Sequence, residues 1–224
     1  MMADEVIPMD EKSEMEVVIP AGAAKLPGIL NIPPKARGIV VFAHGSGSGR
    51  FSPRNRLVAQ VLQESGLATL LSDLLEEREA SDRRKVFDID LLTDRLLANA
   101  HWVRQQSKTH KFPIGYFGAS TGAGAALQAA AREPEGIAAI VSRGGRPDLA
   151  LDYLPLIQAP TLFIVGGKDE LVISLNEKAY GLLRCTKKLK IVPGASHLFE
   201  EPGTLEEVAE LARDWFLQYA LPEA

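Results

Sequence analysis

Short apolar runs alternate with longer stretches of helical periodicity along this chain, and that alternation restricts it to an α/β sheet. Runs that are apolar without a break, at residues 38–43, 114–119, 137–141 and 161–165, need cover on both faces. Further strands are expected at 67–71 and 189–192. At the start, 15–19 and 26–32 read as a strand pair turning at Ala21-Gly22, and Pro27 with Gly28 assigns that pair to a sheet edge. Ser52-Pro53 reads as an N-cap followed by proline at the first helical position, with Leu57, Val58, Val61 and Leu62 as the apolar face. A long helix carries Leu92, Leu96, Ala100 and Val103 on one side, and 121–132 is an alanine-rich helix. The charged stretch 76–85 is expected as a loop or a frayed helix start. Thr204 and Glu207 stand at capping-box spacing before a last helix, whose buried stripe is Leu205, Val208, Ala212, Trp215 and Tyr219. No repeat or linker divides the chain, so one domain over 1–224 is expected, with 1–12 as a flexible N-terminal extension.

A chain of 224 residues can bury enough surface to hold itself together without metals or disulfides. Its net charge is −4 with acids and bases interspersed, which leaves no clustered basic face for nucleic acid. The single cysteine, Cys185, can form no intramolecular disulfide and gives no sign of an oxidising compartment. No apolar run approaches the roughly 18 residues that a membrane span needs, and the acidic start has no signal-peptide core. A cytoplasmic protein without a membrane partner is expected, as a monomer or small homo-oligomer.

The chemistry gathers around Gly118-Ala119-Ser120-Thr121-Gly122. As a five-residue string it is weak; its setting, after an apolar strand and at the head of a helix, is the one a nucleophile elbow requires. The sharp turn strains the serine, and side chains two positions away on either side would collide with neighbours. A serine hydroxyl needs an imidazole to take its proton. Among the four histidines, His101 and His110 lie in or just after the long helix, and His44, followed by glycines, suits shaping a loop. His197, in the loop Pro193-Gly194-Ala195-Ser196-His197 after the last strand, is where a base is wanted. Asp169 follows the run 161–165 and a glycine turn, and is the carboxylate expected to orient the imidazole, with Glu170 as its rival. The order Ser120, Asp169, His197 is that of the α/β-hydrolases.

Attack on a carbonyl needs two preset N–H groups for the developing oxyanion. Thr121, at a helix N-terminus, and Ser46, in the loop after the 38–43 strand, are the expected donors, with Gly45 beside the substrate. The same glycine-serine run could be read as a phosphate cradle, but it lacks the lysine of G-x-x-x-x-G-K-[ST]. Two basic groups fall near the carboxyl ends of strands, where ligands bind in such sheets: Arg50, Arg54 and Arg56, and Arg143 with Arg146. Arg143 is the candidate to attract an anionic substrate group, against a solvated or structurally paired arginine. Cys185 has no histidine near it in sequence and reads as a bystander.

The strand–His-Gly loop, the Gly-Ala-Ser-Thr-Gly turn, Gly166-Gly167-Lys168-Asp169 and the Pro-Gly-Ala-Ser-His loop resemble the dienelactone hydrolase-like branch of the α/β-hydrolases, over residues 15 to 219. The resemblance is nearest to members with His-Gly-Ser-Gly-Ser, Ser-Pro-Arg-Asn and Val-Ser-Arg-Gly-Gly-Arg-Pro-Asp-Leu, which occur alone or joined to phosphoribosyltransferase-like domains. It implies a mostly parallel twisted sheet flanked by helices on both faces, with no large lid domain. It also implies Ser120, Asp169 and His197 as triad, with Ser46 and Thr121 amides as oxyanion donors. Dienelactone hydrolase itself has cysteine where this chain has Ser120, which points toward small soluble carboxylic esters or lactones generally, cleaved through an acyl-enzyme without cofactor or metal. Two alternatives stay open. The same triad could serve a thioesterase, peptidase, acyltransferase or perhydrolase, or the chain could be a non-catalytic binding domain beside a phosphoribosyltransferase-like partner.

Overall fold

A computed structural model describes residues 14–220. The expected N-terminal extension, residues 1–12, lies outside them. The chain begins with a hairpin, β1 (Glu14–Ala21) and β2 (Ala24–Asn31), closed by a two-residue turn in which Gly22 takes a φ of 63°. Six further strands follow: β3 (Ile39–Ala43), β4 (Ala68–Ser72), β5 (Ile114–Ala119), β6 (Ile137–Arg143), β7 (Thr161–Gly166) and β8 (Lys187–Val192). They form one sheet in the order β1-β2-β4-β3-β5-β6-β7-β8. The hairpin and the β2–β4 pairing are antiparallel, and every other pairing is parallel. The pair bearing Pro27 and Gly28 does end the sheet, with β1 outermost and β2 one strand in.

Helices cover both faces. On one side lie α1 (Pro53–Glu64) and α7 (Thr204–Tyr219); on the other lie α4 (Ile89–Gln105), α5 (Thr121–Arg132) and α6 (Glu170–Leu182). The strand period of two divides each central strand between these layers. In β3, Ile39 and Val41 pack toward α4 and α5, whereas Val40 and Phe42 pack toward α1 and α7. That is why its sequence is apolar without alternation. The Ser52 hydroxyl caps α1 by accepting from the Asn55 amide at 3.5 Å, with Pro53 at the first position.

Three details depart from the expectations. The charged stretch after β4 is neither a loop nor a frayed start but two four-residue helices, α2 (Glu77–Ala80) and α3 (Arg83–Val86). Acids start both of them: the Glu79 carboxylate accepts from the Glu76 amide at 3.0 Å, and Asp82 accepts from the Arg84 amide at 2.9 Å. At the head of α7 the Thr204–Glu207 capping box does not form. Gly203, at a φ of 80°, is the cap residue, and the Thr204 hydroxyl donates to the Glu201 carbonyl at 2.7 Å. The segment Pro147–Leu156 is a kinked 3-10 helix, and α6 also went without an apolar signal because only Val172, Asn176 and Ala179 are buried on it. Among the described residues no helix is long and apolar enough to cross a membrane, and no insertion forms a lid domain.

Candidate active site

Ser120 stands alone between β5 and α5, with φ 51° and ψ −122°. A non-glycine residue held there stores about 1–3 kcal/mol of strain. Its backbone is pinned on both sides, because the Ser120 amide donates to the Arg143 carbonyl at 3.3 Å and its own carbonyl accepts from Arg146 at 3.0 Å. The flanking glycines are forced by contact. A Cβ on Gly118 would fall 2.5 Å from the Ala123 Cα, and one on Gly122 would fall 2.1 Å from the Ala43 carbonyl oxygen. Gly45 crosses the serine so closely that a Cβ there would lie 2.8 Å from the Ser120 Cβ.

Asp169 is the N-cap residue of α6, yet its side chain makes no cap bond. Its Oδ2 lies 2.6 Å from Nδ1 of His197 instead. With the carboxylate accepting, Nδ1 carries the proton and Nε2 is left as the basic atom of the ring. Glu170, the rival, is exposed on the first turn of α6. The His197 loop is held by Glu201, whose carboxylate accepts from the Ser196 amide at 2.9 Å and from its hydroxyl at 3.2 Å. Those bonds, led by the amide, hold the Glu201 carboxyl below its ordinary value. The imidazole rests on Gly144, where a Cβ would lie 3.5 Å from Nδ1 and Cε1. Among the described residues no hydrogen bond joins Ser120 Oγ to the ring. The two are brought together through Arg143-Gly144, one residue bonded to the Ser120 amide and the next in contact with His197.

Ser46, Gly45 and Thr121 line one cleft of about 760 Å³. Its opposite wall comes from Leu75, Glu76, Ala80 and Val86, so α2 and α3 form one side of it. Ser120 itself adjoins this cleft through Thr121 and Gly45 and does not line it. His44 does shape the loop: buried after β3, its Nε2 accepts from the Leu74 amide at 2.9 Å and its Nδ1 faces the Gly45 carbonyl at 3.1 Å. Asp73 makes a second tie, accepting from the Arg50 amide at 2.7 Å and pairing with its guanidinium. Arg50 is therefore paired within the loop. Arg56 pairs with Glu14, and Arg146 with Asp148. Arg143 is buried at the end of β6, and its Nε and Nη1 have no hydrogen-bond partner. His101 and His110 are on the surface. Asp73 and Glu201 escaped sequence reasoning; for Asp73, its place just past a strand was the available signal.

Burial holds the His44 imidazole below its ordinary value of 6.5, and the Leu74 N–H requires Nε2 unprotonated. A base whose folded value is depressed gives stability that is present above the unfolded value and lost as pH falls below it. Thermal melting between pH 7 and pH 5 is therefore expected to fall more steeply for the wild type than for His44→Gln. Equal slopes would remove His44 as a source of acid sensitivity.

A family model described as the dienelactone hydrolase family matches residues 26–219. A Mycobacterium tuberculosis protein (strain H37Rv), named provisionally as a phosphoribosyl transferase, is 56% identical over 204 residues, covering 91% of this chain and 46% of the relative. The chain thus spans about half the length of the curated relatives it matches. A crystal structure of dienelactone hydrolase from Anabaena variabilis superposes with a TM-score of 0.92 at 54% identity, over 94% of this chain and all (100%) of that one. A Xanthomonas campestris α/β serine hydrolase without a lid shares the fold, at a TM-score of 0.76 and 21% identity, over 97% of this chain and 100% of the other.

Proposed function

The chain belongs to the dienelactone hydrolase family, and from that premise we propose that it cleaves small soluble carboxylic esters or lactones through an acyl-enzyme on Ser120. The observation that carries this reading is a strained serine at φ 51°, bonded next to a loop on which a histidine is held 2.6 Å from a buried-side carboxylate. His197 Nε2 takes the Ser120 proton as Oγ bonds to the substrate carbonyl carbon. The oxyanion meets the Thr121 amide, at the positive end of α5, and the Ser46 amide. On collapse the alcohol leaves with the proton from Nε2. Water, deprotonated by the same nitrogen, then attacks the acyl group and frees Ser120. Asp169 keeps Nδ1 protonated and stabilises the imidazolium.

The resemblance brings a serine where dienelactone hydrolase itself has cysteine, which favours general ester or lactone hydrolysis over the dienelactone reaction. The lack of a lid domain among the described residues favours short acyl chains. A fluorophosphonate should add one label to the wild-type protein by intact mass, mapped to Ser120. The label should come with turnover of 4-nitrophenyl butyrate roughly 10-fold or more above the laurate. Folded protein that takes no label would overturn the acyl-enzyme reading; a laurate preference would overturn the short-chain one. One observation favours a second reading: the curated relative is about twice as long and carries a transferase name. On that reading the chain is a binding domain beside a phosphoribosyltransferase-like partner, and the missing label is what it predicts.

A further inference from the structure

We propose that Asp73, with the Leu74 amide beside it, is a positioning residue for the oxyanion loop. It holds residues 44–50 against the end of β4, so that the Ser46 amide stays aimed at a carbonyl on Ser120. The catalytic meaning of this clamp rests on the reading of Ser120 as nucleophile; the clamp itself does not.

Strands β3 and β4 are parallel neighbours, paired from Ile39 with Ala68 to Phe42 with Leu71, so the chain leaving β4 runs out beside the chain leaving β3. Two consecutive residues there grip the loop at its two ends. At its start, the Leu74 amide donates to Nε2 of His44 at 2.9 Å. At its end, Asp73 accepts from the Arg50 amide at 2.7 Å and meets the Arg50 guanidinium with its other oxygen. Asp73 is itself fixed, because its own amide donates to the Pro27 carbonyl on β2 at 3.0 Å. Bonds within the loop are local turns, from the Ser48 amide to the Gly45 carbonyl at 3.2 Å and from the Ser52 amide to that of Gly49 at 3.0 Å. They shape the loop and leave its distance from Ser120 unset.

That distance has little slack. On one side Gly45 meets the nucleophile, where a Cβ would fall 2.8 Å from the Ser120 Cβ and 2.9 Å from the Ala119 carbonyl oxygen. On the other, Gly49 meets the clamp, where a Cβ would fall 2.6 Å from the Asp73 Oδ1. The loop is thus wedged between the serine and the carboxylate, and Ser46 and Thr121 both line the cleft beside it. A backbone N–H stabilises an oxyanion with full effect only when its position is set before the reaction. The run Gly45-Ser46-Gly47-Ser48-Gly49 has no large side chain to set it by packing, and its glycines leave the free backbone pliable. A carboxylate accepting from a main-chain amide is a charge-assisted bond, of the stronger kind. The Asp73 side chain is only 20% exposed, so solvent competes little for it.

The test uses Asp73→Ala, Asp73→Asn, Gly49→Ala and the double variant of Asp73→Ala with Gly49→Ala. Each is assayed on 4-nitrophenyl butyrate at a temperature where circular dichroism shows it folded. Asp73→Ala should lower kcat roughly 10- to 100-fold with KM within about threefold of the wild type, since a misplaced donor is missed mainly in the transition state. Asp73→Asn, which keeps an oxygen for the Arg50 amide, should recover most of the loss. Gly49→Ala pushes on the same carboxylate from the loop side. It should cost about as much alone but little more once Asp73 is alanine, and it carries the test if Asp73→Ala does not fold. Hydrogen exchange of residues 44–50 needs no turnover, and it should quicken in Asp73→Ala while that of β5 and α5 stays as in the wild type. Quickened exchange, together with a wild type that neither turns over the ester nor takes a fluorophosphonate, would sink the hydrolase reading and keep the clamp. Unchanged exchange, a loss carried by KM alone, no rescue by asparagine, or the full cost of Gly49→Ala in the alanine background would overturn the role of Asp73.

Discussion

Replacing Ser120 by alanine is expected to lower kcat for 4-nitrophenyl butyrate by roughly 10⁴- to 10⁶-fold while leaving the melting temperature at or above that of the wild type. The loss is large because the proposed route has no other nucleophile, and the residual rate would come from oxyanion stabilisation and binding alone. His197→Ala should fall as far, and the double variant hardly further, since the two act as one unit. Asp169→Asn should cost about 10⁴-fold, by offering Nδ1 the wrong tautomeric partner across the 2.6 Å contact. Stability is expected to hold for Ser120→Ala, because the backbone strain at φ 51° is the same for alanine and no hydrogen bond ties the lost hydroxyl to the ring. Retention of more than about one per cent of wild-type kcat by Ser120→Ala would refute the acyl-enzyme route.

Gly122→Ala is expected to lower the melting temperature by about 10 °C or to prevent folding, which is the size of effect reserved for backbone collisions. Its Cβ would sit 2.1 Å from the Ala43 carbonyl oxygen and 2.5 Å from that of His44. Both are main-chain atoms at the end of β3, so no rotamer change can make room. α5 would have to lift off the sheet, uncovering Ala125, Ala126, Leu127 and Ala129 from the core beneath it. Gly181→Ala is the control. That residue lies inside α6 with nothing within 4 Å of an added Cβ, and alanine there should stabilise by up to about 1 kcal/mol. Thermal melts of the two variants by circular dichroism decide the matter. A Gly122→Ala protein melting within 2 °C of the wild type would mean that the elbow has slack which the contact distances deny.

The strands of the sheet were legible because burial on both faces leaves no polar residue in a run such as Ile39–Ala43. The elbow was legible because its small residues sit between one such run and a helix, where contact with β3 permits nothing larger. Helix α6 escaped because a helix that buries only three side chains writes almost no periodicity, and the paired helices α2 and α3 because capping acids look like any charged loop. The ties that hold the site together were not readable. Asp73 meets Arg50 across 23 residues, and His44 meets Leu74 across 30, so their partners are set by the tertiary fold. Arg143 stood out in the sequence only as one basic residue near a strand end; its burial without a partner is a property of the packed state.

The strand order also acts as a ruler. Ser120 follows β5 and Asp169 follows β7, with β6 between them. Two strand spacings separate their rows by about 10 Å, well beyond the reach of a carboxylate to a hydroxyl. The imidazole of His197, hydrogen-bonded to Asp169 at 2.6 Å, enters that gap from the far side of β7, over the tip of β6. Gly144 is that tip. With φ at 51° and no side chain, it leaves a bare platform for the ring of His197; a Cβ there would touch the ring at 3.5 Å, crowd the His197 carbonyl oxygen at 3.1 Å and sit in a strained backbone.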